Sequence, residues 1–235
     1  MNMERIYCGP APLPQELWSS WNFDPVVLVC LAGMTYLLRK HAAGLGAVAI
    51  LFVAFVSPLC ALSSALFSAR VVHHVLLIAA AAPLLALTIQ TRKPATIARP
   101  FVVSTVILWG WHLPAAYDLA LSNVAVYWLM QISLLISATW FWRAVLTAEA
   151  AVVERIAFIV AGFAQMGMLG AILTFAPTAL YAAHALAPFD WGVTPLRDQQ
   201  LGGLIMWVPS GVPYAVAVVL LARRHWHQLT RGAPC

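Results

Sequence analysis

Residues 152–176 read VVERIAFIVAGFAQMGMLGAILTFA, with Glu154 and Arg155 near one end and no further charge before Ala176. A helix crosses the hydrocarbon core of a bilayer in about 20 apolar residues, so this block by itself predicts a membrane span. Six more blocks of the same kind lie at about 23–39, 43–66, 71–90, 100–120, 124–146 and 199–222. They are separated by Arg39-Lys40-His41, Ser68-Ala69-Arg70, Arg92-Lys93-Pro94, Asp118 to Asn123, Glu149 to Arg155, and the polar stretch Pro188 to Asp198. Pro114 sits inside the fourth block and predicts a kink there, which neighbouring helices can tolerate by satisfying the freed carbonyl.

Composition points the same way. Of 235 residues, 63% are hydrophobic and 9% charged, and the mean hydropathy is +0.86. A soluble domain carries about 25% charged residues, so these few charges cannot cover a water-facing surface. The apolar residues fall in unbroken blocks rather than heptads or a glycine repeat, which excludes coiled coil and collagen. The expected fold class is therefore all-α, a polytopic membrane bundle of seven transmembrane helices. Its expected parts are an N-terminal tail at 1–22, a helical domain at 23–222 and a basic tail at 223–235. The polar, Pro-rich start lacks the build of a signal peptide and is expected to be retained.

Orientation follows from the basic residues. Arg39, Lys40, Arg92, Lys93, Arg99, Arg143, Arg155, Arg223, Arg224 and Arg231 fall on one set of loops, against Arg5, Arg70 and Arg197 on the other. Ten against three places the first set in the cytoplasm, with the N-terminus outside and the C-terminus inside. The net charge of +5 belongs to this pattern, and no basic patch interleaved with aromatics points to nucleic acid. Trp18, Trp21, Trp128 and Trp191 fall at outer ends of spans and Trp140, Trp142 and Trp226 at inner ends, the expected interfacial belt. Gly162, Gly167, Gly170, Gly202 and Gly203 mark close helix packing. Four cysteines, Cys8, Cys30, Cys60 and Cys235, show no CxxC spacing; the pairing of Cys8 with Cys60 on the outer side stays open.

Ionisable residues at membrane depth are costly and are functional candidates by default. A retinal Schiff base is excluded, because the two lysines, Lys40 and Lys93, lie at cytoplasmic ends. The acidic residues lie near span ends or in loops, against a proton relay. Arg70 and His74 share a helix face, His73 points about 100° away, and His112 sits at a depth within about one turn of His74. His74 and His112 could bind a metal, with Met166, Met168 and Met206 as candidate soft ligands for copper(I). The plainer reading is that the histidines hydrogen-bond between helices and the methionines pack. A cationic Arg70 disfavours copper nearby and could instead pair with Asp118 or Asp198. Asp198 reads as the cap of its own helix start, or as part of an outer-face polar cluster of Arg70, Asp118, His184 and Asp198. No nucleophile triad, phosphate loop or paired carboxylates indicate an enzyme.

Several stretches together resemble the seven-helix CtaG-type cytochrome c oxidase assembly factors, distinct from the single-span copper chaperone sharing that name. These are Trp21-Asn-Phe-Asp24-Pro25, Ser57-Pro58, Leu66-Phe67-Ser68-Ala69, His74-Val-Leu-Leu, Ala82-Pro83-Leu-Leu, Trp111-His112-Leu-Pro114-Ala-Ala-Tyr117-Asp118, Trp191-Gly192 and Asp198-Gln-Gln-Leu-Gly-Gly-Leu-Ile-Met-Trp-Val-Pro209. The resemblance runs from about residue 21 to 222. It implies a multi-pass protein of the bacterial inner membrane, embedded in lipid, that works with cytochrome c oxidase subunits and aids copper delivery at the outer face, with copper held transiently and no other cofactor. The family pattern of His-x3-His in span three meets Arg70 in place of its first histidine, and the second such pattern meets Tyr127 and Gln131. That leaves His74 and His112 as matched imidazoles and implies weak copper binding or none. The alternative is an accessory subunit of a respiratory complex whose histidines only tie helices together. A haem bridging spans three and four is a third option.

Overall fold

The computed structural model describes residues 7–90 and 96–231, and every regular element among them is helical. Arg5, Arg92, Lys93 and Cys235 lie outside the described residues.

Helix α1 (Pro25–Leu38) starts where the Asp24 carboxylate accepts the backbone N–H of Val26 at 2.7 Å, with Pro25 at the first helical position. Helix α2 (Ala42–Phe55) ends at Ser57-Pro58, and α3 (Pro58–Ala65) leaves it at an angle of 47°. Helix α4 (Phe67–Val75) continues through a π-helical turn (Leu76–Ala81) into α5 (Ala82–Ala86), giving one 20-residue helix from Phe67 to Ala86. Then follow α6 (Ala98–Trp111), α7 (Pro114–Ser122), α8 (Val124–Thr147), α9 (Val152–Phe175), α10 (Pro195–Trp207) and α11 (Gly211–Arg231).

All seven expected blocks are helical, but they do not make seven helices of full spanning length. Four stretches are long and apolar enough to cross a membrane: Phe67–Ala86, Val124–Thr147, Val152–Phe175 and Pro195–Gln228. The bent pair α2–α3 makes a fifth. Helices α1 and α6 have 14 residues each. At ~1.5 Å per residue they reach about 21 Å, short of a hydrocarbon core about 30 Å thick. In the fourth block Pro114 does not kink a continuous helix. The chain closes α6 with bonds from His112 N to Trp109 O (3.1 Å) and Leu113 N to Gly110 O (3.3 Å). Leu113 is extended, as a residue before proline prefers, and α7 starts afresh.

The outside of the bundle is apolar: Val29, Val106, Ile136, Phe175 and Val219 are all exposed. An apolar exterior spread over so many helices suits hydrocarbon rather than water. Inside, α9 and α10 cross closely. A Cβ on Gly203 would lie 2.5 Å from the Gly170 carbonyl oxygen, and one on Gly170 would lie 2.7 Å from the Gly203 carbonyl oxygen. The tryptophan belt is incomplete. Trp142 is buried and donates its indole N–H to the Ile78 carbonyl at 2.8 Å, inside the π-helical turn. A π turn disturbs the regular ladder of backbone bonds, and the indole supplies a partner that a lipid chain could not.

The N-terminal segment is fastened to this bundle. Cys8 and Cys60 form a disulfide across 52 residues of sequence. Tyr7 stacks on Tyr127 (5.1 Å between centroids) and meets Trp128 edge-on. Asn22 donates its side-chain amide to the Phe55 carbonyl at 3.1 Å. A loop of this length constrains the unfolded chain by about 4 kcal/mol. We therefore expect Cys8→Ser to lower the thermal midpoint of detergent-purified protein by several degrees, and dithiothreitol to lower the wild type equally while leaving the variant unmoved.

Candidate functional site

The residues singled out from the sequence converge on the buried end of α4. Arg70, His73 and His74 are all buried on this helix, and His112 closes α6 beside them. The His74 and His112 rings lie 6.1 Å apart, centroid to centroid. Although adjacent residues on a helix diverge, His73 and His74 ring centres are only 5.8 Å apart, and His73 also sits edge-on to Phe55 at 5.0 Å. Both histidines thus face protein from the same turn.

His112 is held firmly. Its Nδ1 lies 2.7 Å from the Leu108 carbonyl, and its own carbonyl accepts the Tyr181 hydroxyl at 2.9 Å. A carbonyl only accepts, so Nδ1 carries the proton and Nε2 keeps its lone pair. His74 Nε2 has no hydrogen-bond partner. Two imidazoles on one ion, with metal–nitrogen bonds of about 2 Å, have ring centres about 6 Å apart, which is the observed spacing. The three methionines named as soft ligands differ in burial. Met166 and Met206 are buried, while Met168 is exposed on the outside of α9. Among the described residues no group of three or more His, Cys, Asp or Glu side chains could hold a metal ion.

The acidic residues of the expected polar cluster are committed elsewhere. Asp118 accepts the backbone N–H groups of Ala182 (3.3 Å) and Ala183 (3.1 Å). Asp198 does not cap its own helix, a role taken by Thr194. It reaches across the bundle to α4, accepting Phe67 N at 2.6 Å, Ser68 N at 3.1 Å and the Ser68 hydroxyl at 2.5 Å. The free N–H groups at the start of one helix are therefore satisfied by a carboxylate on another. Arg70 pairs with neither acid; its Nη1 donates to the Tyr127 hydroxyl at 3.4 Å. His184 accepts the Tyr117 hydroxyl at Nε2 (2.7 Å) and faces the Ala65 carbonyl through Nδ1 (3.3 Å). Burial, and then the Arg70 charge, push its pKa down to about 3, so it is neutral.

Tyr127 and Gln131 stand one turn apart on α8, both buried. The Tyr127 hydroxyl lies 3.4 Å from Cys8 Sγ, so it bridges Arg70 and the disulfide. Sequence reading noted these two positions only as missing histidines. Their spacing of four was the available signal that they share a face with each other. Gln199, expected only as part of the polar stretch with Asp198, accepts Leu180 N at 2.7 Å and is buried.

Residues 91–228 match the profile of a family described as cytochrome c oxidase caa3 assembly factor. The match includes His112, Tyr127 and Asp198 and begins after His74. No curated protein and no solved structure matches the chain.

Proposed function

From the premise that this chain belongs to the family of cytochrome c oxidase caa3 assembly factors, we propose that it is a non-catalytic, multi-pass protein of the bacterial inner membrane that aids delivery of copper to the oxidase at the outer face. Copper(I) is the cargo, held briefly by His74 and His112. The observation that carries this reading is the imidazole pair itself, with the His112 tautomer set by Leu108 and the His74 Nε2 free. A carrier must release what it binds, and two ligands hold less tightly than a closed cage.

The chain then crosses the bilayer seven times, with α1 and the broken α6–α7 as short crossings. The outward N-terminus is supported by the distribution of basic residues and by the Cys8–Cys60 disulfide, since such bonds persist in oxidising compartments such as the periplasm.

A deletion strain tests the proposal. Cytochrome oxidase activity should fall with haem absorbance retained, and should recover on added copper. A gene carrying His74→Ala and His112→Ala should restore less than a tenth of the activity that the wild-type gene restores. Full restoration by that variant, despite equal membrane levels, would remove copper from the reading.

The second reading is an accessory subunit without a metal of its own, favoured by the charge of Arg70 so near the pair. Affinity purification separates the two: a subunit remains with the oxidase at fixed stoichiometry, and an assembly factor does not.

A further inference from the structure

Arg70 is fully buried, and the groups around it leave half of its guanidinium unused. Nη1 donates to Tyr127, while Nε and Nη2 have no hydrogen-bond partner among the described residues. Those two N–H groups form the side-on edge of the guanidinium, the fork that takes two oxygens of one planar anion in parallel. The neighbouring carboxylates, Asp118 and Asp198, are occupied by backbone N–H groups. Other buried polar atoms nearby in the chain also go unbonded among the described residues. His73, three residues on from Arg70, has no hydrogen bond at either ring nitrogen, and Gln131, one turn from Tyr127, has none at either amide atom.

Tyr127 gives Arg70 a hydrogen bond and a ring face, with the arginine Cζ 5.3 Å from the ring centroid, but no counter-charge, and a buried cation without a counter-ion is among the most costly arrangements in a protein interior. Water could meet the hydrogen-bonding needs of His73 and Gln131, but it cannot neutralise Arg70. We infer that the Arg70 fork, with His73 and Gln131 beside it, is a binding site for a small planar monoanion of the carboxylate class. One carboxylate would take Nε–H and Nη2–H together, and the Gln131 amide can donate to a remaining lone pair. Tyr7 and Cys8 pack on Tyr127, and Arg70 is fully buried, so the ligand proposed is one of a few atoms. The inference goes beyond copper delivery and stands without it. It would also remove the uncompensated positive charge near His74 and His112.

Equilibrium dialysis of the full-length, detergent-purified protein against radiolabelled formate, at constant ionic strength, tests the site. The expected result is saturable uptake approaching one formate per chain. Binding should weaken at least tenfold in Arg70→Gln and severalfold in Gln131→Leu, which removes no charge and keeps the helix intact should Arg70→Gln fail to fold. Absence of saturable uptake by the wild type would overturn the inference, as would equal uptake by the wild type and both variants. Displacement of formate by chloride at lower concentration than by unlabelled formate would overturn the carboxylate assignment.

Discussion

Asp198→Ala is expected to lower the stability of the protein by about 3–4 kcal/mol. The carboxylate is buried and serves three donors, Phe67 N, Ser68 N and the Ser68 hydroxyl. Its loss strands two backbone N–H groups at the start of α4, where each unsatisfied buried donor costs about 1–3 kcal/mol. The effect should spread from α4, because the same helix carries Arg70, His73 and His74. Thermal unfolding in detergent, followed by size-exclusion of the surviving monodisperse fraction, should show a midpoint about 10 °C lower. Asp198→Asn keeps one oxygen acceptor and should fall between the variant and the wild type. Had Asp198 served only its own helix, the Ala variant would move the midpoint little, because Thr194 already caps α10.

Gly203→Ala is expected to be nearly as damaging, for a steric reason. A Cβ there would lie 2.4 Å from Thr174 Oγ1, 2.5 Å from the Gly170 carbonyl and 2.7 Å from Thr174 N. Two of those three atoms are backbone, so a rotamer change cannot relieve the overlap. The whole crossing of α9 and α10 must open, and overpacking of this kind costs about 1–3 kcal/mol. Gly33→Ala is the control. No heavy atom lies within 4 Å of its added Cβ, and the residue is inside α1. Alanine should therefore be neutral or favourable by up to about 1 kcal/mol. Equal losses from Gly203→Ala and Gly33→Ala would mean that helix approach does not set stability.

The contrast between these residues explains what the sequence could disclose. Helix positions were legible, because each apolar block announces itself by length and each boundary by charge or proline. Gly170 and Gly203 were legible as contact points, because small residues in apolar helices have few other uses. The span lengths were harder to read. Hydropathy does not register that the chain closes α6 at His112 and extends Leu113, since apolar residues stand on both sides of the break.

The polar residues were legible as costly but not as connected. Asp198 before an apolar helix looks like a local cap, and only the fold reveals that its donors lie 130 and 131 residues away. A trace of this was present in the spacing. Asp198, Gln199, Gly202, Gly203 and Met206 are all buried, and their intervals of three and four mark one helix face. A polar pair on a buried face must find partners on another element. The pairing of Cys8 with Cys60 had no such trace, because a separation of 52 residues carries no geometric preference.

The disulfide also orders events in time. Between its two cysteines lie α1 and α2, a hairpin of two apolar helices. In the proposed topology the sulfurs can meet only after that hairpin is threaded and the leading tail and the start of α3 lie on the same outer face, where thiols are oxidised. Closure then reports insertion of the first hairpin. Newly made chains that still carry both thiols would be those whose first hairpin has yet to settle, and a non-reducing gel of pulse-labelled membranes separates them from the oxidised ones.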